Sequence, residues 1–153
     1  MRRLLLISLL LGSLTAVFAA GITKGRVVKV LPVFLNLKGE DAVTPSLYDR
    51  DAYQVYLRQH PDERSGLRFS VLWQVENPAA AKYKIRVEIR GIATNGEPRQ
   101  LTLEEPVTPQ LLRKWTRINL TGDGYKNFGE LVAWRATLWS DDQLMSEQKS
   151  FLW

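Results

Sequence analysis

Cysteine is absent from this 153-residue chain, histidine occurs once, at His60, and methionine twice. Without cysteine there is no disulfide, no thiol nucleophile and no thiolate zinc site, so stability has to come from packing alone. With one histidine, a nucleophile-histidine-carboxylate arrangement could be built only around His60, and no Gly-x-Ser-x-Gly turn accompanies it. Charge of one sign is also scarce, at 21 Lys+Arg against 16 Asp+Glu, and the cations are scattered along the chain rather than gathered in a run. A nucleic-acid partner is therefore excluded. No internal repeat and no low-complexity tract appears.

What is present begins with a leader. Arg2 and Arg3, the apolar stretch Leu4 to Leu11, and small residues ending at Ala19 and Ala20 have the three-part pattern of a secretory signal peptide. Cleavage after Ala19 is the better fit, because it puts Val17 and Ala19 where small side chains are needed. A retained anchor fits less well: the apolar tract is short for a bilayer core of about 30 Å and is diluted by Ser8, Gly12, Ser13 and Thr15. The expectation is a signal peptide at 1–19, a single domain at 20–153, a periplasmic or secreted location, and no stable membrane span after cleavage. Loss of Arg2 and Arg3 lowers the basic count to 19 against 16 acidic residues, a formal charge of +3.

Two-residue alternation dominates after Gly66. Leu67, Phe69, Val71, Trp73 and Val75 fall on one face of a strand, with Arg68, Ser70, Gln74 and Glu76 on the other. Tyr83, Ile85, Val87 and Ile89 repeat the pattern after the break at Asn77-Pro78. Thr94 to Pro98 reads as a turn, Gln100 to Leu103 as a short strand, and Pro106 and Pro109 as the end of pairing. A strand through Thr116, Ile118 and Leu120 follows, then a corner at Thr121 to Tyr125. Val132, Trp134, Ala136 and Leu138 form the apolar face of the next strand, and Ser140 to Gln143 turns the chain into a final strand ending at Trp153.

The earlier region is less regular. Arg26 to Leu37 is apolar on both parities and interrupted by Pro32, which suits an edge strand that bends or changes sheets there. Residues 47–59 change to helical periodicity, with Ser46 as cap, Asp49 in the first turn, and Tyr48, Ala52, Val55 and Tyr56 on one face. The fold class is all-β: a two-sheet antiparallel sandwich of about seven strands with one short helix near residues 47–59.

With Trp73 on an early strand, Trp134 on a later one and a terminal hairpin, the chain resembles immunoglobulin-like and fibronectin type III-like domains over Val27 to Trp153. Both cysteines of true immunoglobulin domains are missing, and Tyr125 does not make their tyrosine corner. The resemblance implies a fold and no activity, since this sandwich hosts unrelated functions.

Chemistry-bearing residues do not assemble in the sequence. Asp49, Asp51, His60, Asp62 and Glu63 match no calcium or zinc spacing. The pairs Glu104-Glu105 and Asp141-Asp142 point to opposite faces of a strand rather than into a cleft. No catalytic residue, metal or cofactor is expected. The aromatics carry the functional signal: Trp115 and Trp139 share the parity of Arg117 and Arg135, which either puts indole rings on the outside or makes them strand-end caps of the core, and Phe151, Leu152 and Trp153 cannot all point inward. The expected function is a non-enzymatic interaction or structural module of the cell envelope, binding an envelope or secreted protein through Trp115, Arg117, Arg135, Trp139, Phe151 and Trp153. Either the apolar edge strand from Val27 to Leu37 or the apolar C-terminal segment is expected to extend a partner's sheet through backbone hydrogen bonds. The alternative is a small polysaccharide-binding domain using the same tryptophans, with Arg117, Asn119 and Arg135 as hydrogen-bonding neighbours.

Overall fold

A strand whose alternate residues are apolar can bury one face and solvate the other, and the central strands of this seven-stranded chain use that solution. The computed structural model describes residues 23–153, so the leader assigned to 1–19 lies outside the described residues. The strands are β1 (Lys24–Asn36), β2 (Arg64–Glu76), β3 (Tyr83–Ile92), β4 (Pro98–Val107), β5 (Lys114–Thr121), β6 (Glu130–Ser140) and β7 (Gln143–Lys149). They form two antiparallel sheets, β1-β2-β5 and β4-β3-β6-β7, which enclose one core. Two short helices are added: α1 (Leu47–Gln59) between β1 and β2, and α2 (Gly122–Phe128) between β5 and β6.

The core is built from the predicted parities. Leu67, Phe69, Val71, Trp73 and Val75 of β2 meet Tyr83, Ile85, Val87 and Ile89 of β3, all buried. Ile118 and Leu120 of β5 and Ala136 and Leu138 of β6 complete the layer. Trp73 is the largest side chain in it, and burial obliges its indole N–H to find a partner. Nε1 donates to Thr116 Oγ1 at 2.8 Å.

Four sequence expectations need correction. Pro32 does not move β1 to the other sheet: β1 pairs with β2 throughout and is disturbed only by a bulge between Val27 and Lys29 and a register shift at its end. Pro106 does not end pairing either, because β4 is an edge strand in which a missing N–H costs no ladder bond, and the strand continues to Val107. Thr121 to Tyr125 leads into α2, not a bare corner. That helix carries Phe128 into the core and stops at Gly129, whose φ of 84° and tight approach to the Ile92 carbonyl admit only glycine. The last strand ends at Lys149; residues 150–153 form a turn in which Trp153 N–H donates to Ser150 O at 3.2 Å.

Val132 departs from its parity for a local reason. The register of β3 with β6 passes from Arg90↔Ala133 to Gly91↔Leu131, leaving Val132 as the extra residue of a bulge and exposed. Trp134, one step beyond, keeps its predicted place against the core.

Ser46 caps α1 as expected, accepting from Asp49 N–H at 3.4 Å. The buried face of α1 is not the predicted one. Tyr48, Ala52, Val55 and Tyr56 are exposed, while Leu57 and Gln54 are buried. Gln54 is inside because its amide pairs with β1 as a strand would: Phe34 N–H donates to Oε1 at 2.8 Å and Nε2 donates to Phe34 O at 3.0 Å. Nε2 also reaches the Asp41 carbonyl at 2.9 Å.

Arg64 locks the other end of α1. Its Nε donates to Leu57 O at 2.5 Å, Nη2 to Arg58 O, and Nη1 to Glu130 Oε1 at 2.6 Å, while the guanidinium lies 4.1 Å above the Phe34 ring. Its side chain is only 2% exposed.

Arg64→Ala leaves two helix carbonyls without their donor, and unfolding in urea is expected to show a loss of about 2–4 kcal/mol. Arg64→Lys, which keeps the charge but not the fork, should recover only part of it; full recovery would refute the role given to the fork. Thr116→Val, close to isosteric, strands the Trp73 N–H and is expected to cost about 1–3 kcal/mol in the same measurement.

Candidate functional site

The six aromatic and basic residues singled out from the sequence are divided between opposite faces of the sandwich. Arg135 and Trp139 lie on the outer face of the four-stranded sheet, and the C-terminal turn brings Trp153 over the same face. Trp115 and Arg117 lie on the outer face of the three-stranded sheet. Phe151 is fully exposed.

On the four-stranded sheet the side chains satisfy one another. Arg86 lies 4.7 Å over the Trp139 ring and pairs with Glu104 at 2.5 Å, while Trp139 Nε1 donates to Thr137 Oγ1 at 2.8 Å. Arg135 pairs with Glu88 at 2.6 Å and reaches Glu147 at 3.9 Å. Arg90 and Arg135 lie 4.0 and 5.1 Å from the Trp153 ring centre. Each of these two indoles therefore already holds a guanidinium on a face. Glu104, which accepts from Arg86 and lies 3.4 Å from Lys84, is held below the ordinary glutamate range chiefly by the Arg86 hydrogen bond, against the opposing effect of desolvation.

The three-stranded sheet is different. Cross-strand pairing sets Lys29, Leu72 and Trp115 in one row and Leu31, Ser70 and Arg117 in the next. Small Ser70 makes a dip between its larger neighbours. Helix α1 flanks this face and encloses with it an open groove of about 1060 Å³. Leu31, Pro32 and Val33 line the groove from β1, Val55 from the helix and Trp115 from β5. Val55 is 51% and Trp115 45% exposed, a large apolar area for positions on a regular helix and strand.

The groove's charges are unbalanced. Lys29, Arg50, Arg58 and Arg117 line it, and none makes a salt bridge among the described residues. Of the two lining carboxylates, Asp41 is engaged by Arg68 at 3.1 Å and Asp51 makes no ion pair among the described residues. Sequence reading found Trp115 and Arg117 but missed the helix's contribution. The signal was there: Arg50, Gln54 and Arg58 recur every four residues and so form one stripe, which a search for apolar periodicity passes over.

The edge of β1 is closed to sheet extension along much of its length. Gln54 occupies the Phe34 N–H and carbonyl, Pro32 has no N–H, Ser146 Oγ accepts from Val27 N–H at 3.0 Å, and Gln148 Nε2 donates to Val28 O at 3.1 Å. The expected use of this edge to extend a partner's sheet therefore lacks the open donors and acceptors it requires.

The single histidine terminates α1. Its Nδ1 is 2.8 Å from Tyr56 O and its ring stacks on Tyr56 at 4.0 Å. Tyr56 donates to Glu63 at 2.5 Å, which with the nearby carboxylates pushes the phenol up. Asp49 is occupied by Thr44. Among the described residues no group of three or more His, Asp or Glu could hold a metal ion, and no helix is long and apolar enough to cross a membrane.

Since the folded-state pKa of Glu104 is depressed, the stabilisation it brings is present above the ordinary glutamate range and is lost as pH falls through the folded value. In this exposed setting it stays within about 1 kcal/mol. Carboxyl titration by NMR is expected to show Glu104 rising toward the ordinary value in Arg86→Ala; an unmoved titration would show that Arg86 is not the cause. Comparison of the chain with protein-family models, with curated proteins and with solved structures returns no match, so function has to be argued from the groove and the faces themselves.

Proposed function

We propose that this protein is a non-enzymatic interaction module of the cell envelope, periplasmic or secreted, whose working surface is the groove between α1 and the three-stranded sheet. The observation that carries the reading is the combination, in that groove, of exposed Trp115 and Val55 with four cations that make no salt bridge among the described residues. Exposed apolar area beside unneutralised charge is what a partner's side chains can cover and balance. The extracytoplasmic location rests on the basic, apolar and small-residue succession of 1–19.

A kinship with immunoglobulin-like and fibronectin type III-like domains belongs to the same reading. Its support is the strand order. The immunoglobulin constant arrangement places the first, second, fifth and fourth strands in one sheet and the third, sixth and seventh in the other. Moving only the fourth strand across gives the order found here.

The polysaccharide alternative has less to rest on. A sugar platform needs a strip of open aromatic faces, and Trp115 is separated by the whole sandwich from Trp139 and Trp153, each of which carries an arginine. Asn119, its expected neighbour, accepts from Arg68 at 3.0 Å.

The test is affinity capture of cell-envelope proteins by the purified protein, each captured protein then being rebound as a pure component. Trp115→Ala and Val55→Asp are expected to abolish retention of the partner, and Trp139→Ala to leave it intact. Retention that depends on Trp139 instead, or binding of polysaccharide and no protein, would sink the proposal.

A further inference from the structure

Building on that reading, we infer that the groove takes an acidic segment of a partner polypeptide, one that alternates carboxylates with apolar side chains. The inference deepens the proposed function by giving the occupant its chemistry, and it stands on charge complementarity. On the four-stranded sheet Arg86 and Arg135 are already paired with glutamates. In the groove, Lys29, Arg50, Arg58 and Arg117 make no ion pair among the described residues, and of the two carboxylates beside them Asp41 is spent on Arg68. Asp51 is then the one uncommitted lining carboxylate against four cations, so negative charge brought there meets a net positive surface.

The remaining lining distinguishes a polypeptide from other anions. A glycan would ask for neutral donors and acceptors around its rings, and the groove has few. Gln54 already makes three bonds to the Phe34 and Asp41 backbone, which leaves Ser70 on the floor. What the groove offers between its cations is hydrocarbon from Leu31, Val33 and Val55, and the Trp115 indole. Apolar anchors flanked by acids match that surface.

The geometry also fixes the mode of binding. Because Gln54 and Pro32 close this part of the β1 edge, the segment lies across the face, from Leu31 over the Ser70 dip toward Arg117, and is held by its side chains. Its affinity should therefore fall with ionic strength as the screening length shortens.

A labelled synthetic peptide alternating glutamate with leucine and tyrosine serves as probe, with binding to the purified protein followed by fluorescence anisotropy. The double substitution Arg58→Ala with Arg117→Ala is expected to weaken binding about tenfold, the sum of two exposed charge pairs. Trp115→Ala is expected to weaken it about thirtyfold, as removal of a central aromatic anchor does. Arg99→Ala, an exposed cation outside the groove, serves as control and should change nothing.

Three results would overturn the inference. The first is equal binding of the same peptide with glutamine for glutamate. The second is binding of polyglutamate that is indifferent to Trp115→Ala, which would mean a general anion surface. The third is capture of phosphatidylglycerol vesicles through the same arginines in preference to the peptide. Absence of peptide binding, together with Trp115-dependent retention of a purified envelope protein, overturns the acidic occupant alone. Loss of both overturns the interaction reading as well.

Discussion

Arg64 is the point on which the arrangement of the helices and sheets depends. One guanidinium serves four elements: it caps the last carbonyls of α1, pairs with Glu130 at the start of β6, lies on Phe34 of β1, and sits beside Tyr125 of α2. Burying an arginine is costly unless its donors are used, and here the fork is used on three sides. Tyr125 registers the dryness of the place, its phenol being pushed up by burial against the opposing pull of Arg64. The consequence reaches the groove. Gln54 ties the middle of α1 to β1, Arg64 ties its end to the sandwich, and Val55 and Arg58 are held by these anchors, with Arg50 one turn before Gln54.

The two outer faces follow different electrostatic rules. On the four-stranded sheet, cross-strand neighbours of opposite charge meet directly: Arg86 stands opposite Glu104 and Glu88 opposite Arg135. The face neutralises itself and its tryptophans are covered by guanidinium groups. Along the groove on the three-stranded sheet the outward residues of neighbouring strands are Leu31, Ser70 and Arg117, or Lys29, Leu72 and Trp115, and no acid stands opposite Lys29 or Arg117; the opposite-charge pair of this face, Lys24 and Glu76, lies at the far end of β1 and β2. Adding α1 brings more positive charge to that side.

Sheet edges are protected by different means. On β1 the protection is side-chain mimicry of a strand, by Gln54 toward one end and by Ser146 and Gln148 toward the other, with Pro32 between. On β4 prolines stand near both ends of the strand, with Arg99, Glu104 and Glu105 adding charge. Association by sheet extension is thereby disfavoured at these two edges. Trp115 stands exposed on β5, the opposite edge strand of the sheet that β1 begins.

The strands were legible in the sequence because alternation is a local property: the burial of Phe69, Trp73, Val87 and Leu138 follows from spacing alone, and the Ser46 cap from one residue's chemistry. The same alternation gives Trp115 and Trp139 the parity of the outer faces on which they lie, but not how far each is covered there. Three things were decided only by the tertiary structure. The buried face of α1 was set by a glutamine that imitates a strand, which no count of apolar residues detects. The bulge at Val132 inverted a parity, because register depends on which strand lies alongside. The division of the six candidate residues into a self-neutralised face and an open groove depended on which strands became neighbours, and so on long-range pairing. Periodicity tells a residue which way to point; only the partner strand and the packed helix determine what it meets there.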